Sequence, residues 1–106
     1  MNTRLFALFG LLALGCAPAL AEPNAADATV AQKFWPEATL TQLEQGRELY
    51  VQTCASCHPL KLPGDLPPER WREEVGHMRE LGVKLADSDA ELITRYLETI
   101  SRRQDG

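Results

Sequence analysis

Residues 54–58 read Cys54-Ala55-Ser56-Cys57-His58, and no other stretch constrains the chain as strongly. Two thiols separated by two residues and followed at once by an imidazole form the C-x-x-C-H signature for covalent haem attachment. Each thiol can form a thioether to one haem vinyl group. The histidine beside the second linkage is then delivered to the iron as its proximal ligand. Neither serine nor alanine could make the thioether. A thioredoxin-like redox pair would need a βαβ pattern around the C-x-x-C, and none is visible. A zinc site would need further Cys or His ligands, of which only Cys16 and His77 remain in the whole chain.

The N-terminus carries the marks of export. Arg4 supplies a short positive region, residues 5–15 are mostly apolar, and Ala19-Leu20-Ala21 precedes Glu22-Pro23 as a small-x-small cleavage motif. The apolar run is too short to span a bilayer. Residues 1–21 are therefore expected to be a signal peptide and the mature chain periplasmic. A second processing point is open, because Ala13-Leu14-Gly15-Cys16 is a loose lipobox. Cleavage there would leave the protein lipid-anchored through Cys16, whereas cleavage after Ala21 would discard that cysteine.

Cleavage after Ala21 leaves 85 residues, one small domain for which an all-protein core is marginal. A covalently held haem would act as a large apolar core element. The mature part keeps 10 basic and 15 acidic residues, since Arg4 is the only charge in the leader. With no basic patch, nucleic-acid binding is not expected. The net negative charge favours redox partner proteins with a basic docking face, and membrane contact is expected only if Cys16 is lipidated.

Residues 22–38 are rich in alanine with weak periodicity and read as a flexible N-terminal segment, with Phe34-Trp35-Pro36 as its one packing element. The domain proper, residues 39–106, opens with a helix over 40–53. Thr41 and Glu44 have capping-box spacing there, and Leu40, Leu43, Arg47 and Tyr50 lie at helical intervals, with Leu49 on the flank. Gly46 inside that helix costs about 1 kcal/mol relative to alanine, which a close helix crossing would explain. Pro59, Pro63, Gly64, Pro67 and Pro68 then make a rigid loop. A backbone carbonyl in this loop, near Leu62 or Pro63, could accept the Nδ1 proton of His58 and fix the ring. A second helix is expected over 68–81, with Trp71, Val75 and Met78 as its apolar stripe and Gly82 as its stop. A third is expected over 89–101, with Ser88 and Glu91 as a capping box and Leu92, Tyr96, Leu97 and Ile100 buried, Ile93 on the flank. Arg102-Arg103 at its end suits the helix dipole. Nothing alternates at period two and no repeat is present, so the fold class is all-α, with the first and last helices crossing.

Two residues compete for the far side of the iron. Met78 lies seven residues from Trp71, about 700° around the helix and so on nearly the same face, while His77 is turned by about 100° towards Arg70 and Glu74. If Trp71 and Val75 face the haem, the Met78 thioether points at the iron. Helical geometry thus favours Met78, with His77 or an open iron as the alternatives.

These features together resemble the small monohaem class I cytochromes c over residues 39–101. A helix with Gly46 and Tyr50 precedes Cys54–His58, a proline-rich loop follows, and a terminal helix carries Tyr96-Leu97. The chain looks like a bacterial subgroup whose sixth ligand lies in a Trp-led helix, here Trp71 to Met78, followed by Leu85. The resemblance implies three or more helices around one covalently bound haem c, with Cys54 and Cys57 as anchors, His58 and Met78 as metal ligands, and one-electron transfer rather than enzymatic catalysis. His77 beside Met78 departs from the pattern and leaves bis-histidine ligation open. The short loop after His58 implies a minimal haem cover. A gas-binding or sensing haem domain and a haem subunit of a larger oxidoreductase are the alternative functions.

Overall fold

The computed structural model describes residues 20–54 and 60–103. Among these residues there are four α-helices and no strand: α1 (Ala25–Gln32), α2 (Leu40–Cys54), α3 (Trp71–Glu80) and α4 (Asp87–Ser101). Two 3-10 turns, Pro63–Asp65 and Pro68–Arg70, lie between α2 and α3. None of the described helices is long and apolar enough to cross a membrane.

The segment expected to be flexible contains α1. Asn24 and Asp27 form a reciprocal capping box: the Asn24 Oδ1 accepts from the Asp27 amide at 3.0 Å, and the Asp27 Oδ2 accepts from the Asn24 amide at 2.8 Å. That arrangement satisfies two amides otherwise orphaned at a helix start. The alanines that blurred the periodicity are the packing face itself, since Ala28, Ala31 and Ala38 are buried against Leu43, with Trp35 and Leu40 at the edge. Asp27 is also ion-paired with Arg103, just past α4. Burial pushes its carboxyl upward, but hydrogen bonds from Arg103 and the Asn24 backbone and the Arg103 charge outweigh this and hold it low.

Helix α2 begins as the sequence suggests but with a different cap. Thr39 and Gln42 form the reciprocal pair, each hydrogen bond 3.1 Å long, in place of Thr41 and Glu44. Thr39 sits one residue before the helix, where its amide and hydroxyl are both available for capping. The buried face reads Leu43, Gly46, Tyr50, Cys54. Gly46 marks the crossing with α4: a Cβ built there would lie 2.2 Å from the Leu92 carbonyl oxygen and 2.9 Å from the Tyr96 Cβ. No side chain fits in that space, so the absent methyl sets how closely the two backbones meet.

Helix α3 starts three residues later than expected. Pro68–Arg70 forms a 3-10 turn, with the Arg70 amide donating to the Pro67 carbonyl at 3.0 Å. The helix ends as anticipated at Gly82, whose φ of +114° suits glycine. There the Val83 amide reaches back to the Met78 carbonyl at 3.1 Å, closing the last turn.

Helix α4 carries the widest buried face. Ile93, Tyr96, Leu97 and Ile100 are buried and Leu92 is only half-buried, so Ile93 and Leu92 exchange the roles expected of them. The cap is Ala86, not Ser88, and no side chain closes it. Glu91 is occupied elsewhere. It takes a fork from Arg72 of α3, 2.7 and 3.1 Å, and a 2.8 Å bond from Arg95 Nε. Arg95 continues to Glu37 at 2.8 Å and lies over the Trp35 ring. The basic pair after α4 works sideways: the Arg102 guanidinium stacks on Phe34, 3.9 Å from the ring centroid, and Arg103 holds α1.

The Arg72 hydrogen bonds, with further help from Arg95, outweigh burial and hold the Glu91 carboxyl down at about 2, against 4.5 ordinarily. A carboxyl depressed in the folded state contributes stability that is present above its unfolded pKa and lost as pH falls through the folded one. Glu98 opposes this, because burial raises its carboxyl despite Arg72 and Arg102 nearby. Glu91→Gln is therefore expected to flatten the loss of stability between pH 4.5 and about 2, followed as Tm against pH. An unchanged slope in that window would assign the acid sensitivity to other carboxylates.

Candidate functional site

The last residue of α2 is Cys54. The buried face of Leu43, Gly46 and Tyr50 carries the thiol, about three turns on from Leu43, into the main apolar cluster, where it is 5% exposed. The rest of the motif, Cys57 and His58, lies outside the described residues, and so does any bond from His58 to the loop. The chain is described again from Leu60, half-buried against the same cluster.

Two buried aromatic residues fasten that returning loop by their polar tips. The Tyr50 hydroxyl donates to the Lys61 carbonyl at 2.8 Å, and the Trp71 Nε1 donates to the Pro63 carbonyl at 2.8 Å. The two rings meet edge to face, 6.3 Å between centroids at 77°, an arrangement aromatic pairs favour. Burial, followed by the nearby Cys54, pushes the Tyr50 phenol upward, so it stays a donor. Within the turn, the Asp65 carboxylate accepts from the Leu62 amide at 2.7 Å, and the Leu62 carbonyl accepts from the Asp65 amide at 2.9 Å. Lys61 reaches Glu74 of α3 at 3.0 Å. The two loop carbonyls suggested as acceptors for His58, those of Leu62 and Pro63, thus each hold another donor, although a carbonyl has two lone pairs.

Helix α3 separates the two candidate sixth ligands. Trp71 and Val75 are buried, and Met78 is half-buried against the cluster that contains Cys54, Tyr50 and Leu97. His77 points the other way. Its side chain is 59% exposed, with Nδ1 3.8 Å from a Glu80 carboxylate oxygen, beside an open groove shared with Glu73 and Glu74. Among the described residues no three His, Cys, Asp or Glu side chains converge. The described part of the site is therefore one thiol and one thioether on a common apolar wall.

Cys54 and Met78 are the two described residues that could hold a haem here. Both sulfur-bearing side chains pack among aromatic and aliphatic side chains. The sequence places Tyr50, Trp71, Val75 and Leu97 on the apolar stripes of their helices but does not reveal the two carbonyl clamps. The signal was available, because a buried Tyr or Trp generally finds a partner for its polar tip. Comparison with protein families, curated proteins and solved structures finds no match.

Proposed function

We propose that the protein is an exported, periplasmic one-electron carrier holding a single haem c. Cys54 and Cys57 would anchor the group, with His58 as proximal and Met78 as distal ligand. The bound haem would supply the Fe(III)/Fe(II) couple. The observation carrying this reading is the placement of Cys54 and Met78 on one apolar cluster with Trp71, Tyr50 and Val75, while His77 faces solvent.

In this reading the chain's own residues exclude water and hold the ligands still. Tyr50 and Trp71 pin the loop that follows His58, limiting how far the proximal side can shift when charge changes. The apolar wall of Val75 and Leu97 keeps the local dielectric low. The net negative surface would steer a partner with a basic docking face. No enzymatic role and no nucleic-acid partner is proposed.

The test is covalent haem retention. When the full chain is exported from a bacterium that attaches haem c, the wild type is expected to keep a haem-staining band after denaturation, and the Cys54→Ala, Cys57→Ala double variant to lose it. A wild type without covalent haem would overturn the proposal. Ready carbon monoxide binding by the reduced wild type would redirect it to gas binding.

A further inference from the structure

Leu20 and Ala21, at the end of the expected leader, are built into the fold. The Leu20 side chain is 7% exposed and belongs to the main apolar cluster with Tyr50, Tyr96 and Leu97. Its carbonyl accepts from Arg47 Nε at 3.4 Å and Nη2 at 3.1 Å. The next carbonyl, of Ala21, accepts the Tyr96 hydroxyl at 2.6 Å, and the next, of Glu22, accepts Arg103 Nη2 at 3.0 Å. Three consecutive carbonyls are thus held by side chains of α2, α4 and the residue after the α4 cap. Tyr96 is wholly buried, and burial raises its phenol to about 12, so its hydroxyl is a standing donor.

A cut after Ala21 would remove the Leu20 side chain from the core. It would also take two acceptors away, leaving Arg47 and the Tyr96 hydroxyl without these partners. A buried donor deprived of its acceptor is among the costlier defects a small domain can carry. The new α-ammonium of Glu22 would sit in the residue whose carbonyl Arg103 already holds, adding like charge there. Complementarity of this kind, an apolar plug and two matched carbonyls, belongs to residues a domain keeps.

We propose that Leu20 and Ala21 remain in the mature protein, so that the chain is processed upstream of Leu20 and the Ala21–Glu22 bond is left intact. The sequence offers two such points: the Gly15–Cys16 bond of the loose lipobox, which would leave Ala17-Pro18-Ala19 between an acylated cysteine and the docked Leu20, and the Ala19–Leu20 bond after the small-x-small motif Ala17-Pro18-Ala19. The inference concerns processing alone and stands apart from the haem reading.

The experiment is intact-mass and N-terminal peptide analysis of the full chain expressed with export, applied to membrane and soluble fractions. An N-terminal peptide containing Leu20-Ala21 is expected, beginning either at an acylated Cys16 or at Leu20. A mature protein beginning at Glu22 would overturn the proposal. Covalent haem appears in the same spectrum as a separate mass increment, so failure of the haem reading is scored independently. As a second measurement, mature chains beginning at Leu20 and at Glu22 are compared by thermal unfolding. The shorter is expected to melt lower, on the order of 10 °C for a domain of this size, and equal Tm values would overturn the proposal.

Discussion

Trp71→Ala is expected to cost about 3–5 kcal/mol, the usual penalty for emptying a buried indole site. Small domains have only about 5–15 kcal/mol in total, so the variant should be largely unfolded under mild denaturant. Trp71 is completely buried, meets Tyr50 edge to face and holds the Pro63 carbonyl, so core volume, an aromatic contact and a loop clamp are lost together. Trp71→Phe separates these contributions. It keeps most of the packing and loses the indole donor, a loss of about 1–3 kcal/mol. Urea titrations of the three proteins, followed by helical circular dichroism, give the comparison. A Trp71→Ala midpoint equal to the wild type would show that the indole is not the keystone between loop, α3 and α4.

Met78→Leu is expected to leave the fold intact and change the electronic character of the haem-loaded protein. Leucine conserves volume and apolarity but offers no lone pair. If the thioether binds iron, the weak far-red sulfur-to-iron absorption of the ferric protein disappears. The reduction potential then falls by about a tenth of a volt or more, within the roughly 0.8 V that axial ligation commands. His77→Leu is expected to alter neither, because that imidazole lies on the exposed side of α3 beside Glu80. The opposite pattern, with His77→Leu decisive and Met78→Leu silent, would overturn methionine ligation in favour of a bis-histidine site. A high-spin ferric wild type would overturn both and favour gas binding.

The sequence carried the helical stripes well because burial acts on every turn. Leu43 and Tyr50 on α2, Trp71, Val75 and Met78 on α3, and Tyr96, Leu97 and Ile100 on α4 all recur at intervals that only a helix brings to one side. Gly46 was legible for the same reason, since a glycine costs stability in mid-helix unless a neighbour needs the space. The candidate site was legible in part. The spacing of Trp71 and Met78 put the thioether and the indole on one face and His77 on the other, as the structure has it. Caps were less legible. Thr39 and Thr41 both have a Gln or Glu three residues on, and Ser88 has Glu91, so local pattern alone could not choose among them. Glu91 in particular was claimed by two arginines, one of them on another helix. Helix α1 escaped notice because its buried face is made of alanines, whose small side chains give weak periodicity yet allow close packing. The clamps from Tyr50 and Trp71 depend on where a loop returns in space, which a linear reading of side chains does not contain.

Arg103 gives the domain one more property. Its guanidinium grips the Asp27 carboxylate and the Glu22 carbonyl, so the first and last described segments of the chain share a single fastening. Chain ends ordinarily fray independently and are the first places where amides exchange with solvent. Here the α1 end cannot peel away without also releasing the residue that follows α4, the helix that carries the widest buried face. Opening of either of these two segments is therefore expected to be coupled to opening of the other.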